Sequence, residues 1–127
     1  MATIEKIGTK RLVVGAHYGT GEYIIQRVTA IILAIYTLVL LVGVLTMSGF
    51  TYAGWKNLFT FTSFGIPLGQ VLASLAMLSL AWHAWIGIRD IWMDYVKPAS
   101  VRVILHVLTL LALVGYAGWA VQIIWRL

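Results

Sequence analysis

Three histidines, four carboxylates and no cysteine hold most of the chemistry open to this 127-residue chain. His83 stands inside a run of 32 residues, between Lys56 and Arg89, that contains no Asp, Glu, Lys or Arg. An imidazole in so apolar a helix needs a partner. It reads either as a neutral side chain hydrogen-bonded to a neighbouring helix, or as a ligand to haem iron or a proton relay. His106 lies at a similar depth in another apolar run and reads as hydrogen-bonded, although the two histidines could in principle clamp one haem within the chain. His17 precedes the first apolar run, where a solvated or headgroup-level role is the default. The segment from Arg89 to Arg102 is dense in functional groups, with Asp90, Asp94 and Tyr95 beside Trp92 and Lys97. A membrane-surface anchor explains its basic and aromatic residues. A phenol adjoining a carboxylate, with an arginine nearby, can also hydrogen-bond a quinone carbonyl and pass protons to it. Without cysteine there is no disulfide, thiolate metal site or iron–sulfur cluster held by this chain, so redox chemistry would rest on a bound cofactor or on partners.

The elements that must position these groups follow from where charge is missing. The chain is 61% hydrophobic and 10% charged, with a mean hydropathy of +0.95, which excludes an ordinary water-soluble domain. Its net charge of +5 comes from nine basic residues scattered through apolar sequence. They make no basic face for nucleic acid. Uncharged stretches of 28, 32 and 23 residues follow Arg27, Lys56 and Arg102. A hydrocarbon core of about 30 Å needs roughly 20 helical residues, so each stretch holds one span. The pattern predicts an all-α integral membrane domain over 1–127, with spans at 24–47, 66–88 and 103–125. Residues 1–23 form an N-terminal segment without signal-peptide features, and 89–102 an inner connection. Residues 48–65, rich in Phe and Gly, read as an outer loop or short interfacial segment. Seven of the nine Lys and Arg residues fall on the N-terminal stretch through Arg27 and the 89–102 connection, which puts the N-terminus in the cytoplasm and the C-terminus in the periplasm. Tyr23, Trp92 and Tyr95 then join the inner aromatic belt. Small residues form two stripes, Ala73, Ala76, Leu80, His83 and Gly87 in the second span, where a flat ligand could lie, and Ala112, Gly115 and Gly118 in the third, where close helix packing is favoured.

The run His83-Ala-Trp-Ile-Gly-Ile-Arg-Asp-Ile-Trp-Met-Asp-Tyr-Val-Lys-Pro98 closely resembles the stretch from haem ligand to quinone site in the hydrophobic membrane anchors of bacterial succinate dehydrogenase, the D subunits of respiratory complex II. Gln26-Arg-Val-Thr-Ala-Ile31 resembles the opening motif of the first helix in that family. The three-span layout matches over nearly the whole chain. The combination of His83 with Asp94 and Tyr95, eleven and twelve residues later, is specific where a lone histidine is not.

The resemblance implies a non-catalytic anchor subunit of an oxidoreductase in the bacterial inner membrane, serving respiratory electron transport and the tricarboxylic acid cycle. It implies that His83 is an axial ligand to the iron of haem b, with the second ligand on the cytochrome b subunit. It further implies that Tyr95 hydrogen-bonds ubiquinone, with Asp94 beside it. Arg27 is carried over more weakly, to the haem propionates or the quinone pocket. The implied partners are the cytochrome b anchor, the iron–sulfur subunit and the flavoprotein. Two other readings stand beside this one: the anchor of a fumarate reductase working with menaquinone, and a cofactor-free membrane transporter or assembly subunit. The transporter reading predicts an acidic residue within a span, and none of the three apolar stretches contains one.

Overall fold

The computed structural model describes residues 16–127, with side chains from residue 19 onward. Residues 1–15, which make up most of the N-terminal segment expected over 1–23, and the side chain of His17 lie outside the described residues. The described chain is all-α: α1 (Ala16–Leu45), α2 (Tyr52–Thr60), α3 (Leu68–Tyr95) and α4 (Ala99–Arg126). Three helices are long and apolar enough to cross a membrane: Gly19–Leu45 of α1, and all of α3 and α4. At 1.5 Å per residue each is about 40 Å long, so each outruns a hydrocarbon core of about 30 Å.

That excess length corrects the expected connection at 89–102. Arg89, Asp90 and Asp94 are helical, and only Val96, Lys97 and Pro98 join α3 to α4. Charge marks where a helix leaves hydrocarbon, not where it ends. The end is set by Pro98, which lacks an N–H and disfavours helical backbone at Lys97. Pro98 then serves as N-cap of α4, and its carbonyl accepts from Arg102 N at 3.1 Å. The 48–65 stretch is also more ordered than a loop. Thr51 caps α2 by accepting from Gly54 N at 3.2 Å. After α2, a two-residue turn brings Ser63 opposite Ile66, with Phe64 (φ 53°) and Gly65 (φ 76°) both left-handed. Gly65 takes that conformation freely, whereas Phe64 is held in it fully exposed.

The central helix is α3, which packs on α1 along one flank and on α4 along the other, while α1 and α4 scarcely touch. Its buried residues are mostly small: Gly69, Ala73, Ala76 and Ser79, with Ile86 farther along. Small side chains at three- and four-residue steps allow the close approach that drives helix association in lipid. Most large apolar side chains of α1 and α4 remain exposed, and the buried apolar residues are Ala73, Ala76, Ile86 and Ile124.

Polar ties join the helices. At the α2 end, Gln70 Nε2 donates to the Ile124 carbonyl at 3.2 Å, and Trp125 Nε1 to Ser74 Oγ at 3.0 Å. Toward the other end, Trp92 Nε1 donates to Thr109 Oγ1 at 3.1 Å. Expected in an aromatic belt, the Trp92 indole instead ties α3 to α4. A helical Cβ leans toward its helix's N-terminus, which directs Trp92 back along the bundle.

Candidate functional site

His83 sits midway along α3 on the flank that meets α1. Its Nδ1 lies 3.2 Å from Thr29 Oγ1 and 3.2 Å from the Gln26 carbonyl oxygen. The Gln26 carbonyl can only accept. The single Thr29 hydroxyl proton is directed to the Ile25 carbonyl at 2.8 Å, with the Gln26 carbonyl at 3.1 Å as its alternative, so toward His83 this oxygen also accepts. Two acceptors around Nδ1 place the proton there. Nε2 then keeps its lone pair, and it makes no hydrogen bond among the described residues. A neutral imidazole with one nitrogen tied to backbone and the other free is the form that binds iron.

His106 is built differently. Its Nδ1 lies 2.7 Å from the Arg102 carbonyl, one turn back in α4, and its ring stands edge to face against Trp85 with centroids 5.9 Å apart. Trp85 is two residues from His83, about 200° around α3. The two histidines therefore occupy opposite flanks of the central helix. A haem clamped between them within this chain does not fit that arrangement.

The small-residue stripe through His83 is divided. Ala73 and Ala76 are buried within the chain, so no flat ligand lies against them, whereas a Cβ at Gly87, one turn beyond His83, would meet nothing within 4 Å. Open space also surrounds Gly115 and Gly118 of α4, so at these two positions the stripe expected to pack closely finds no neighbour among the described residues. A concavity of about 450 Å³ between α3 and α4 is lined by apolar residues such as Leu78, Trp82, Leu113 and Ala117. It lacks the convergent polar groups that orient a reactive ligand, and His83 is not among its walls. The candidate site residues lie on the α1 flank of α3 and at its end, not in that groove.

Asp94 and Tyr95 occupy the last turn of α3, about 18 Å along the axis from His83. Both are exposed, Tyr95 at 81%, and neither has a hydrogen bond or ion pair among the described residues. Arg27 follows Gln26 directly and so stands at the level of His83 on α1. It is exposed, with its guanidinium 5.0 Å from the centroid of the Tyr23 ring and no carboxylate partner among the described residues. Two groups were missed from sequence. One is Thr29, hidden inside the Gln26–Ile31 motif. The other is the ion pair in which both Arg89 guanidinium nitrogens meet the two Glu22 oxygens, joining α3 to α1, with Arg89 also 3.3 Å from Asp90. Arg89 Nε is buried beside it without a hydrogen-bond partner among the described residues. Only the helix pairing reveals that Glu22 and Arg89 are neighbours.

Among the described residues, no group of three or more His, Asp or Glu side chains gathers to hold a metal ion. A metal held at His83 would find no cluster of further His, Asp or Glu ligands among the described residues. Residues 1–121 match the family model of the succinate dehydrogenase/fumarate reductase transmembrane subunit. The chain belongs to this family. A curated relative, the succinate dehydrogenase hydrophobic membrane anchor subunit of Coxiella burnetii, is 34% identical over 107 residues, covering 84% of this chain and 89% of the relative. Family membership makes this chain a membrane-anchor component of an oxidoreductase complex, and its three apolar helices fit a multi-pass protein of the bacterial inner membrane. It also displaces the reading as a transporter.

Proposed function

We propose that this chain anchors a succinate:ubiquinone oxidoreductase and that its residues complete two cofactor sites with neighbouring subunits. His83 would hold the iron of a b-type haem through Nε2, with the other protein ligand supplied by the cytochrome b subunit. The observation that carries this reading is that His83 Nδ1 lies 3.2 Å from both Thr29 Oγ1 and the Gln26 carbonyl oxygen on α1, while Nε2 makes no hydrogen bond among the described residues. When bound, haem supplies a reversible one-electron store. Arg27, exposed at the level of His83, offers a cation to the propionates or to the quinone pocket. At the end of α3, the Tyr95 hydroxyl donates to a ubiquinone carbonyl and the neighbouring Asp94 takes up and delivers protons. Quinol formation consumes two protons with two electrons, so a phenol–carboxylate pair at an exposed helix end suits the task.

With the N-terminus cytoplasmic and the C-terminus periplasmic, Asp94 and Tyr95 face the cytoplasm. There the iron–sulfur subunit docks and passes on electrons that the flavoprotein takes from succinate, linking the tricarboxylic acid cycle to respiration. The family also includes fumarate reductase subunits. The succinate dehydrogenase relative favours the oxidative direction, and turnover with ubiquinone against menaquinone discriminates the two.

The deciding experiment co-expresses the chain with its three partner subunits and records reduced-minus-oxidised spectra of the purified complex. His83→Ala is expected to abolish or strongly diminish the b-type signal while His106→Ala preserves it. An unchanged signal in His83→Ala would overturn the ligand assignment.

A further inference from the structure

The α1 residues around His83 do more than fill space. Thr29 is among the few buried polar residues, at 8% exposure, on a helix whose exposed side chains are mostly Ile, Leu and Val. A threonine in a helix commonly returns its hydroxyl proton to the carbonyl four residues back, as Thr29 does with Ile25. That bond alone gives it no role beyond its own helix. What sets Thr29 apart is that the same oxygen also lies 3.2 Å from an imidazole nitrogen 54 residues away. Glu22, Gln26 and Thr29 follow four- and three-residue steps along α1, so the Glu22–Arg89 ion pair and the two contacts to His83 lie along one line of attachment between α1 and α3.

We infer that Thr29 is a positioning residue that fixes the tautomer and ring orientation of His83 and tunes the iron bound there. The argument rests on the proposed haem ligation by His83. Its physical basis is that an acceptor on the far N–H of a ligating histidine holds the ring in one orientation and raises its basicity. A more basic imidazole favours the ferric over the ferrous state, so this hydrogen bond lowers the reduction potential of the site. Thr29 contributes only part of the effect, because the Gln26 carbonyl lies equally close. The Glu22–Arg89 pair assists by holding α1 in register against α3.

The test uses the assembled four-subunit complex and redox titration of its b-type signal. Thr29→Val keeps the shape and removes the acceptor. It is expected to leave a six-coordinate low-spin spectrum but to favour reduction two- to fivefold, a rise of about 20–40 mV at 59 mV per tenfold for one electron. Thr29→Ser restores the hydroxyl and is expected to return the potential to the wild-type value. A wild-type potential in Thr29→Val, while His83→Ala loses the signal, would overturn the role of Thr29 and leave haem ligation standing. An intact signal in His83→Ala would overturn ligation itself, and Thr29 with it. Should Thr29→Val prevent assembly, Thr29→Ser alone decides: a potential displaced from wild type despite normal assembly would overturn the proposal, as would failure of that variant to assemble.

Discussion

At the scale of single residues, the two candidate sites are anchored very differently. The His83 ring is held by two atoms of α1, whereas Asp94 and Tyr95 project from a helix end with no hydrogen-bond or ion-pair partner among the described residues. Pre-organisation at His83 suits electron transfer, which demands little movement. An exposed phenol suits a substrate that must arrive and leave. Tyr95→Phe removes one donor and nothing else. It is expected to lower succinate:quinone reductase activity on the order of tenfold or more, the scale of a lost hydrogen bond or proton donor, while succinate oxidation by a soluble dye stays near normal. Equal loss in both assays would count against a quinone role. His83, Asp94 and Tyr95 were visible in the sequence because their types and spacing are unusual for a membrane chain. Thr29 was not, because threonines are common in apolar helices and its significance depends on which atom lies opposite.

Among the elements, α3 shares polar ties with both α1 and α4. Its α4 flank bears Ser74, Trp85 and Trp92, and its α1 flank bears His83 and Arg89, so substitutions on the two flanks have separable consequences. The start of α3 is the tightest point. A Cβ at Gly69 would come within 2.7 Å of the Phe59 carbonyl oxygen and 2.8 Å of its carbon, both backbone atoms. At Gly43 the obstacle is the tip of the Leu58 side chain, at 2.6 Å, which can rotate away. Gly69→Ala is therefore expected to destabilise the chain by about 1–3 kcal/mol. Gly43→Ala is expected to cost about 1 kcal/mol or less. Thermal inactivation of the assembled complex should rank Gly69→Ala well below Gly43→Ala, and the reverse order would show that the α2–α3 contact yields. The number and type of long helices were legible from charge-free stretches alone. Their ends were not. The pattern of charge reports the thickness of hydrocarbon, whereas Pro98 and the Thr51 cap report where backbone hydrogen bonding begins and stops.

The whole molecule is a thin layer of three long helices with little interior of its own. Large apolar side chains such as Ile35, Leu38, Leu108, Leu111 and Val114 are more than half exposed, which is stable only where lipid or other subunits replace water. With His83 and His106 on opposite flanks of α3, the haem proposed for His83 would not draw a second ligand from His106. Expressed without its neighbours, the chain is expected to reach the membrane but give no b-type difference spectrum, and co-expression with the cytochrome b subunit is expected to produce one. A spectrum from the chain alone would contradict that division. The turn at Phe64 and Gly65 has a practical meaning at this scale. Its tip is fully exposed and packs against nothing, and such tips tolerate inserted sequence. A reporter domain spliced there would displace no packed side chain, and its accessibility from either compartment would read out the polarity of the chain far from the end of α3 that carries Tyr95.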